Sequence, residues 1–157
     1  LRGNYLCMNR RDKFKQGLNS LYLPYYEALC LALPDEWQPY SGLRTFDEQT
    51  RLWNQGRNAP GGIVTNAKAG ESAHNWGCGT DWTIWVNNLP VWMSKSDERW
   101  KEYIEAVVKV GLRSGEEFGD IDHNELKISC SWPAILHVFS AQGSIAAHQK
   151  IENSIFQ

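Results

Sequence analysis

Ser72-Ala-His74-Asn-Trp-Gly77-Cys-Gly-Thr-Asp81, completed downstream by Asp120-Ile-Asp-His123, is the stretch on which the fold turns. His74 and Asp81 are seven apart, so a helix would hold them two turns, about 10 Å, from each other and could not bring them together. A turn that feeds a strand would bring them together, and Gly77 and Gly79 supply the backbone freedom for such a turn. The stretch therefore predicts a turn followed by a strand. If the segment beginning at His123 pairs with that strand, the second imidazole joins the first.

Working outward, Gly79 to Val86 alternates and is rich in Trp, Thr and Ile, which predicts a strand with Asp81, Thr83 and Trp85 on one face. Trp37 to Gly42 is a shorter strand candidate, confined to an edge by Pro39. Thr45-Phe-Asp-Glu48 has the form of a capping box and predicts a helix to about residue 55, packed through Phe46, Leu52 and Trp53. Pro24 to Leu33 reads as a helix with Tyr25, Leu29 and Ala32 on one face. Ser96 or Asp97 is placed to cap a helix reaching Val110, with Trp100, Ile104, Val107 and Val108 as its stripe and Gly111 as its stop. Asn124 to Ser129 is a second strand candidate. From Pro133 a helical region follows with Ile135, Val138, Phe139, Ile145 and Ile151, loosened at Gly143. Gly56 to Glu71 is a long polar loop, of a length that is more often functional or disordered than neutral. The succession predicts a small α+β domain.

Composition narrows the function. A chain of 157 residues fits one domain, and 42% apolar with 22% charged residues is ordinary for a globule. A net charge of -2 gives no electrostatic ground for nucleic acid or an anionic membrane as partner. No run reaches the length of a membrane span. Cys7, Cys30, Cys78 and Cys130 form no Cys-x-x-Cys pair and read as reduced thiols of a chain made in the cytosol. Arg2, Asn4, Asn9, Arg10 and Arg11 interrupt the only early apolar residues, so no secretory signal is recognised. Either residues 1–7 precede a start at Met8, or the chain is a fragment. Eight tryptophans are many for this length; most serve the core, while Trp76, Trp82 and Trp85 flank the motif and are candidates to line a groove.

Two imidazoles and one carboxylate are the donor set of an open zinc site, which keeps its fourth position for water. His74, Asp81 and His123 supply that set. Asp120, three residues before His123, is placed to act as general base, with Asp122, Glu125 and Glu117 as competitors that otherwise read as solvated charges. Arg44 sits at the junction of the edge strand and the capped helix, where a guanidinium would hold a substrate carboxylate or an oxyanion; otherwise it is a surface cation. Ser72 is either a turn cap or a substrate contact, and Cys78 is a buried thiol rather than a ligand. His137 and His148 read as ordinary hydrogen-bonded histidines.

At these residues the chain resembles the LAS-type zinc peptidases, which include the VanX and VanY D-alanyl peptidases and the phage L-alanyl-D-glutamate endolysins. Ser72, His74, Gly77 and Asp81 fall on the signature S-x-H-x-x-G-x-A-x-D, and Asp120 with His123 on the carboxylate-x-x-His that follows. Ser41-Gly-Leu-Arg44 with Gln49 is similar to the group's S-G-x-R-(x)4-Q segment. Gly79 stands in the alanine slot, Asn124 replaces the aromatic residue after the last histidine, and Ser114-Gly-Glu-Glu-Phe118 replaces a Trp-Gly-Gly lead-in. The similarity spans roughly residues 21–126.

The resemblance implies a Hedgehog/DD-peptidase-like fold, with an antiparallel sheet flanked by helices in one domain over residues 8–157. It implies zinc on His74, Asp81 and His123, Asp120 as base, Arg44 as the positioning cation, and Ser72 and Gln49 at the substrate. The expected activity is hydrolysis of a peptide bond in the stem peptide of peptidoglycan by a monomer of the phage-endolysin type, made in the cytoplasm and acting on the cell wall. A bacterial D-alanyl-D-alanine carboxypeptidase or dipeptidase is the enzymatic alternative, and a zinc-containing binding domain without turnover is the other. The segment 130–157 is a helical tail with no functional reading.

Overall fold

β-branched and aromatic residues from Gly79 to Val86 build the strand around which everything else is arranged. The computed structural model describes residues 9–156, and the expectations placed on residues 1–7, Met8 and Cys7 lie outside them. In chain order the elements are α1 (Arg10–Lys15), α2 (Leu23–Ala32), β1 (Trp37–Ser41), α3 (Phe46–Asn54), β2 (Gly79–Val86), β3 (Leu89–Val91), α4 (Trp100–Lys109), β4 (Arg113–Ser114), β5 (His123–Glu125), α5 (Trp132–Gln142) and α6 (Ser144–Glu152). The sheet runs β1-β2-β5-β4, with β3 paired to the far end of β2, and every pairing is antiparallel. This is the expected α+β domain. Pro39 lies on the edge strand β1, as its missing donor requires, and the register shifts between Pro39 and Ser41.

β2 is buried from Gly79 to Ile84, with strands paired along both its edges and Trp82 packed on Tyr26 of α2. One core runs through Tyr22, Tyr26, Leu29, Trp37, Trp82, Tyr103, Val107 and Leu126, and reaches Ile135 and Ile151 of the last two helices. Trp37 stacks on Tyr103 with ring centroids 5.2 Å apart. Each such ring removes roughly 150–250 Å² from water, which makes these aromatics the largest single contributors to burial.

Several sequence expectations are corrected in detail. α2 buries Tyr26 and Leu29, in line with Tyr22 before it and Leu33 after it, whereas Ala32 is exposed and Tyr25 only half-buried. α4 buries Trp100, Tyr103, Ala106 and Val107, and Val108 faces solvent. No side chain caps α4; the Asp97 carboxylate accepts instead from the Arg99 N–H just ahead of it. α3 opens with the expected capping box, but its buried residue is Gln49, and Phe46, Leu52 and Trp53 are half-buried. The strand read at residues 124–129 is only His123–Glu125. Gly143, at φ +84, divides the final helical region in two, and Ile145 is exposed.

α1 was not foreseen. Its Arg11 is buried and donates to the carbonyls of Cys30, Leu33, Pro34 and Trp37. Those carbonyls run from the last turn of α2, where a helix leaves carbonyls without internal partners, to the first residue of β1. The tail is tied back by an isolated bridge between Ile128 and Ile155 and by Ser129 N–H donating to the Ser154 carbonyl.

Candidate metal centre

The turn predicted ahead of the strand is a short 3-10 helix, Ala73–Trp76. Ser72 caps it, its Oγ accepting from the His74 N–H at 3.3 Å, so the hydroxyl is engaged in shaping the turn. Gly77 closes it at φ +65, where a Cβ would meet the Gly17 carbonyl oxygen at 2.7 Å. The chain then enters β2. Asp81 lies opposite Ser41 of β1 on one edge and opposite His123 of β5 on the other.

These placements bring the three candidate ligands together. His74 Nε2 lies 3.0 Å from Asp81 Oδ1 and 3.2 Å from His123 Nδ1, and His123 Nδ1 lies 2.8 Å from the same Asp81 oxygen. All three side chains are buried and each offers one donor atom within 4.8 Å of the others. Zinc held tetrahedrally at about 2.0–2.1 Å sets its ligands about 3.3 Å apart, close to these separations. The remaining imidazole nitrogens are engaged elsewhere: His74 Nδ1 with the Gly42 carbonyl at 2.7 Å, His123 Nε2 with Glu125 Oε2 at 3.2 Å. That pattern aims the two free lone pairs at the shared point. The residues fit a divalent metal.

Electrostatics follow from the crowding. Burial opposes ionisation of Asp81, but His74 and His123 outweigh it and hold the carboxyl well below the usual range. Burial would lower the His123 pKa, yet the carboxylates of Asp81 and Glu125 push it up to about 10. Arg44 adds a guanidinium 3.6 Å from Asp81 Oδ2.

Arg44 is tightly placed. Its backbone N–H donates to the His74 carbonyl, Nη2 to Ser41 Oγ at 3.1 Å, and Nη1 to Gln49 Oε1 at 3.0 Å. Gln49 is fully buried and donates to the Ala67 carbonyl and Thr65 Oγ1, which ties the long loop to the same cation. Gln49 thus serves the scaffold around Arg44. A cavity of about 310 Å³ opens beside Arg44, lined also by Tyr40, Gly42, Leu43 and Arg51.

Asp120 follows a second 3-10 turn, Gly115–Phe118, and is exposed, its backbone bonded to Gly115 and to the His123 N–H. The Asp122 carboxyl meets that of Asp120 and accepts from the Tyr40 hydroxyl. Burial first, then the charge of Asp81, raises Asp122 to about 6. Asp122 is thus half-buried rather than a solvated loop charge. Glu117 is exposed and paired with Arg113 at 3.0 Å.

Glu125 is a correction of larger consequence. It is buried, accepts from Trp132 Nε1 at 3.1 Å and supports His123 from behind. Alternation along a strand starting at His123 would have shown it, since positions two apart share a face. Asn124, in the slot after the last histidine, is fully buried: it accepts from Tyr22 Oη and donates to Thr80 and to Tyr103 Oη. Cys78 is buried and lies outside the ligand cluster. The tryptophans near the motif do not line the cavity: Trp82 is in the core, Trp76 packs on Phe46 and Phe139, and Trp85 lies under the Arg10 guanidinium.

Comparison with known proteins bears on the fold and on the sequence as a whole. In the solved structures, the crystal structure of Serratia marcescens L-Ala D-Glu endopeptidase ChiX matches at a TM-score of 0.55 and 15% identity, covering 90% of this chain and 98% of that one. The chain shares the fold of ChiX. In sequence the chain is 34% identical over 95 residues to the peptidoglycan L-alanyl-D-glutamate endopeptidase CwlK of Bacillus subtilis (strain 168). That match covers 54% of this chain and 57% of the relative, so the chain spans little more than half the length of the curated protein it resembles. No protein-family model matches the chain. No helix among the described residues is long and apolar enough to cross a membrane.

Proposed function

We propose that this protein is a zinc-dependent endopeptidase that cuts the L-alanyl-D-glutamate bond of the peptidoglycan stem peptide. The observation that carries the reading is the convergence of His74, Asp81 and His123 donor atoms within 4.8 Å, the other nitrogen of each imidazole being held by its own acceptor. The sequence relative CwlK supports the choice of bond and favours an endopeptidase over a D-alanyl carboxypeptidase.

A metal held by these three side chains would supply a water of lowered pKa and a polarised scissile carbonyl. The chain's own residues do the rest. The Asp120 carboxylate takes a proton from the attacking water and returns it to the leaving amine of D-glutamate. Arg44, fixed by Ser41 and Gln49, presents a guanidinium at the edge of the ligand cluster for the oxyanion or for a substrate carboxylate. The cavity beside it is lined by a second guanidinium, that of Arg51, and by Glu48, whose carboxylate is held in the capping box of α3. On this reading the enzyme acts at the cell wall, as a lysis enzyme of the phage type.

Purified protein loaded with zinc and incubated with muropeptides tests the proposal by mass spectrometry. Fragments with a free D-glutamate amine are expected. Intact muropeptides, with metal bound and the fold preserved, would reject it, and fragments lacking only terminal D-alanine would transfer the activity to the carboxypeptidase class.

A further inference from the structure

Trp92 is 69% exposed, yet the chain around it is pinned. The β2–β3 hairpin turns through Asn87 and Asn88, both at positive φ, and returns so that the Val91 carbonyl accepts from Thr83 Oγ1. Two residues beyond Trp92, the Ser94 carbonyl accepts from Trp100 Nε1 at 3.0 Å. Lys95 Nζ then donates to the Gly119 carbonyl at 2.6 Å, directly before Asp120. Met93 packs against the core, while Trp92 beside it stays exposed. Its indole meets the Tyr40 ring edge-on, with centroids 5.1 Å apart and planes at 82°.

Tyr40 connects this ring to the site. Its hydroxyl donates to Asp122, the neighbour of His123, and Tyr40 is among the residues around the cavity beside Arg44. Trp92 is thus linked to the metal ligands through the Tyr40 ring and the Asp122 carboxyl, which belongs to the residue before His123. A tryptophan held rigidly in water beside a candidate catalytic site offers a large flat apolar surface at small entropic cost.

The chemistry of the substrate says what fits there, and this step rests on the endopeptidase reading above. In peptidoglycan the L-alanine of the stem is joined through a lactyl group to an amino sugar. With about 3.5 Å per extended unit, alanine and lactyl together span about 7 Å, so the sugar lies beside the metal ligands whenever the L-alanyl bond does. Pyranose rings present a face of C–H groups to an aromatic plane and keep their hydroxyls in water. We propose that Trp92 is a sugar platform, on which the amino sugar carrying the stem peptide stacks during cleavage.

Two substrates test it: a disaccharide-linked stem peptide and the same peptide without sugar. Trp92→Ala is expected to lower kcat/KM on the first by about tenfold, the loss of one well-packed aromatic contact, and to leave the second unchanged. Trp92→Phe should recover most of the loss. Equal loss on both substrates, or no loss on either, overturns the platform. If the wild-type protein cuts neither, the endopeptidase reading fails, and the sugar subsite is then decided by titrating an N-acetylglucosamine oligomer against the Trp92 indole N–H resonance. A shift of that resonance sustains the subsite and an unmoved one removes it. A dimer that dissociates on Trp92→Ala would replace it with a self-association surface.

Discussion

Glu125 stands directly behind His123, two residues along the same short strand, with its Oε2 3.2 Å from His123 Nε2 while Nδ1 faces Asp81. A carboxylate in this position fixes the ring's orientation and tautomer and raises its basicity toward a metal. Removing such a partner commonly weakens metal binding about 10–100-fold. Glu125→Gln, which keeps the volume under Trp132, should show that loss in chelator competition while the fold is retained. Unaltered affinity would make Glu125 a packing residue.

Metal uptake should release protons. Without metal, the Asp81 and Glu125 carboxylates raise His123 from 6.5 to about 10, so its imidazole is protonated at neutral pH and must lose that proton to become a ligand. Calorimetry in buffers of different ionisation enthalpy should report release of about one proton at pH 7, and affinity should climb as pH rises toward 10. The sign for stability is opposite. A group whose pKa is raised by folding stabilises the metal-free protein fully below 6.5, and that contribution is lost as pH rises through about 10. Melting temperatures of the chelated protein should therefore fall across that window.

Asp120→Asn separates catalysis from metal binding. Asp120 is exposed and is not one of the three converging side chains, so zinc content should stay unchanged while turnover drops about a hundredfold or more. Full activity in this variant would move the base to Asp122 or Glu117.

Gly79 lies against His123. A Cβ there would sit 2.9 Å from His123 Cε1, 3.0 Å from Ala73 Cβ and 3.1 Å from the Asn124 carbonyl oxygen. Gly79→Ala restores the residue that the resemblance places in this slot, yet in this chain it should push the ring back, costing about 1–3 kcal/mol in stability and weakening metal binding. Thermal melts and chelator competition read the two effects separately.

Asn124→Leu should be costlier than its volume suggests. The amide bridges Tyr22, Thr80 and Tyr103 in a site closed to solvent, and each partner left unsatisfied costs about 1–3 kcal/mol. Denaturant unfolding should show a loss of at least that size.

The site was legible wherever it rested on short-range pattern. Alternation from Gly79 to Val86 gave β2 to the residue, and the Thr45–Glu48 box gave the start of α3. The motif spacing then placed His74, Asp81 and His123 on a turn and two pairing strands. Placing the last strand one residue late hid Glu125, because His123 then stood outside the alternation that pairs it with its supporter. α1 was illegible for another reason. Arg11 is buried through backbone carbonyls that come together only after α2 and β1 have formed, and no local pattern announces that. β3 and β4, of three and two residues, are too short to carry a period. The buried side of α2 was misjudged because Tyr22, outside the helix, sets its line.

One amide joins the segment 56–71 to the cation beside the ligands: Gln49 accepts from Arg44 and donates to Thr65 and Ala67. Changes in the length or sequence of that segment would be felt at Arg44, whereas Asp81 and His123 are kept opposite each other by strand pairing. On the endopeptidase reading proposed above, grafting the segment from another protein of this fold is thus a route to a different target bond, because the segment reaches Arg44 while strand pairing holds Asp81 and His123.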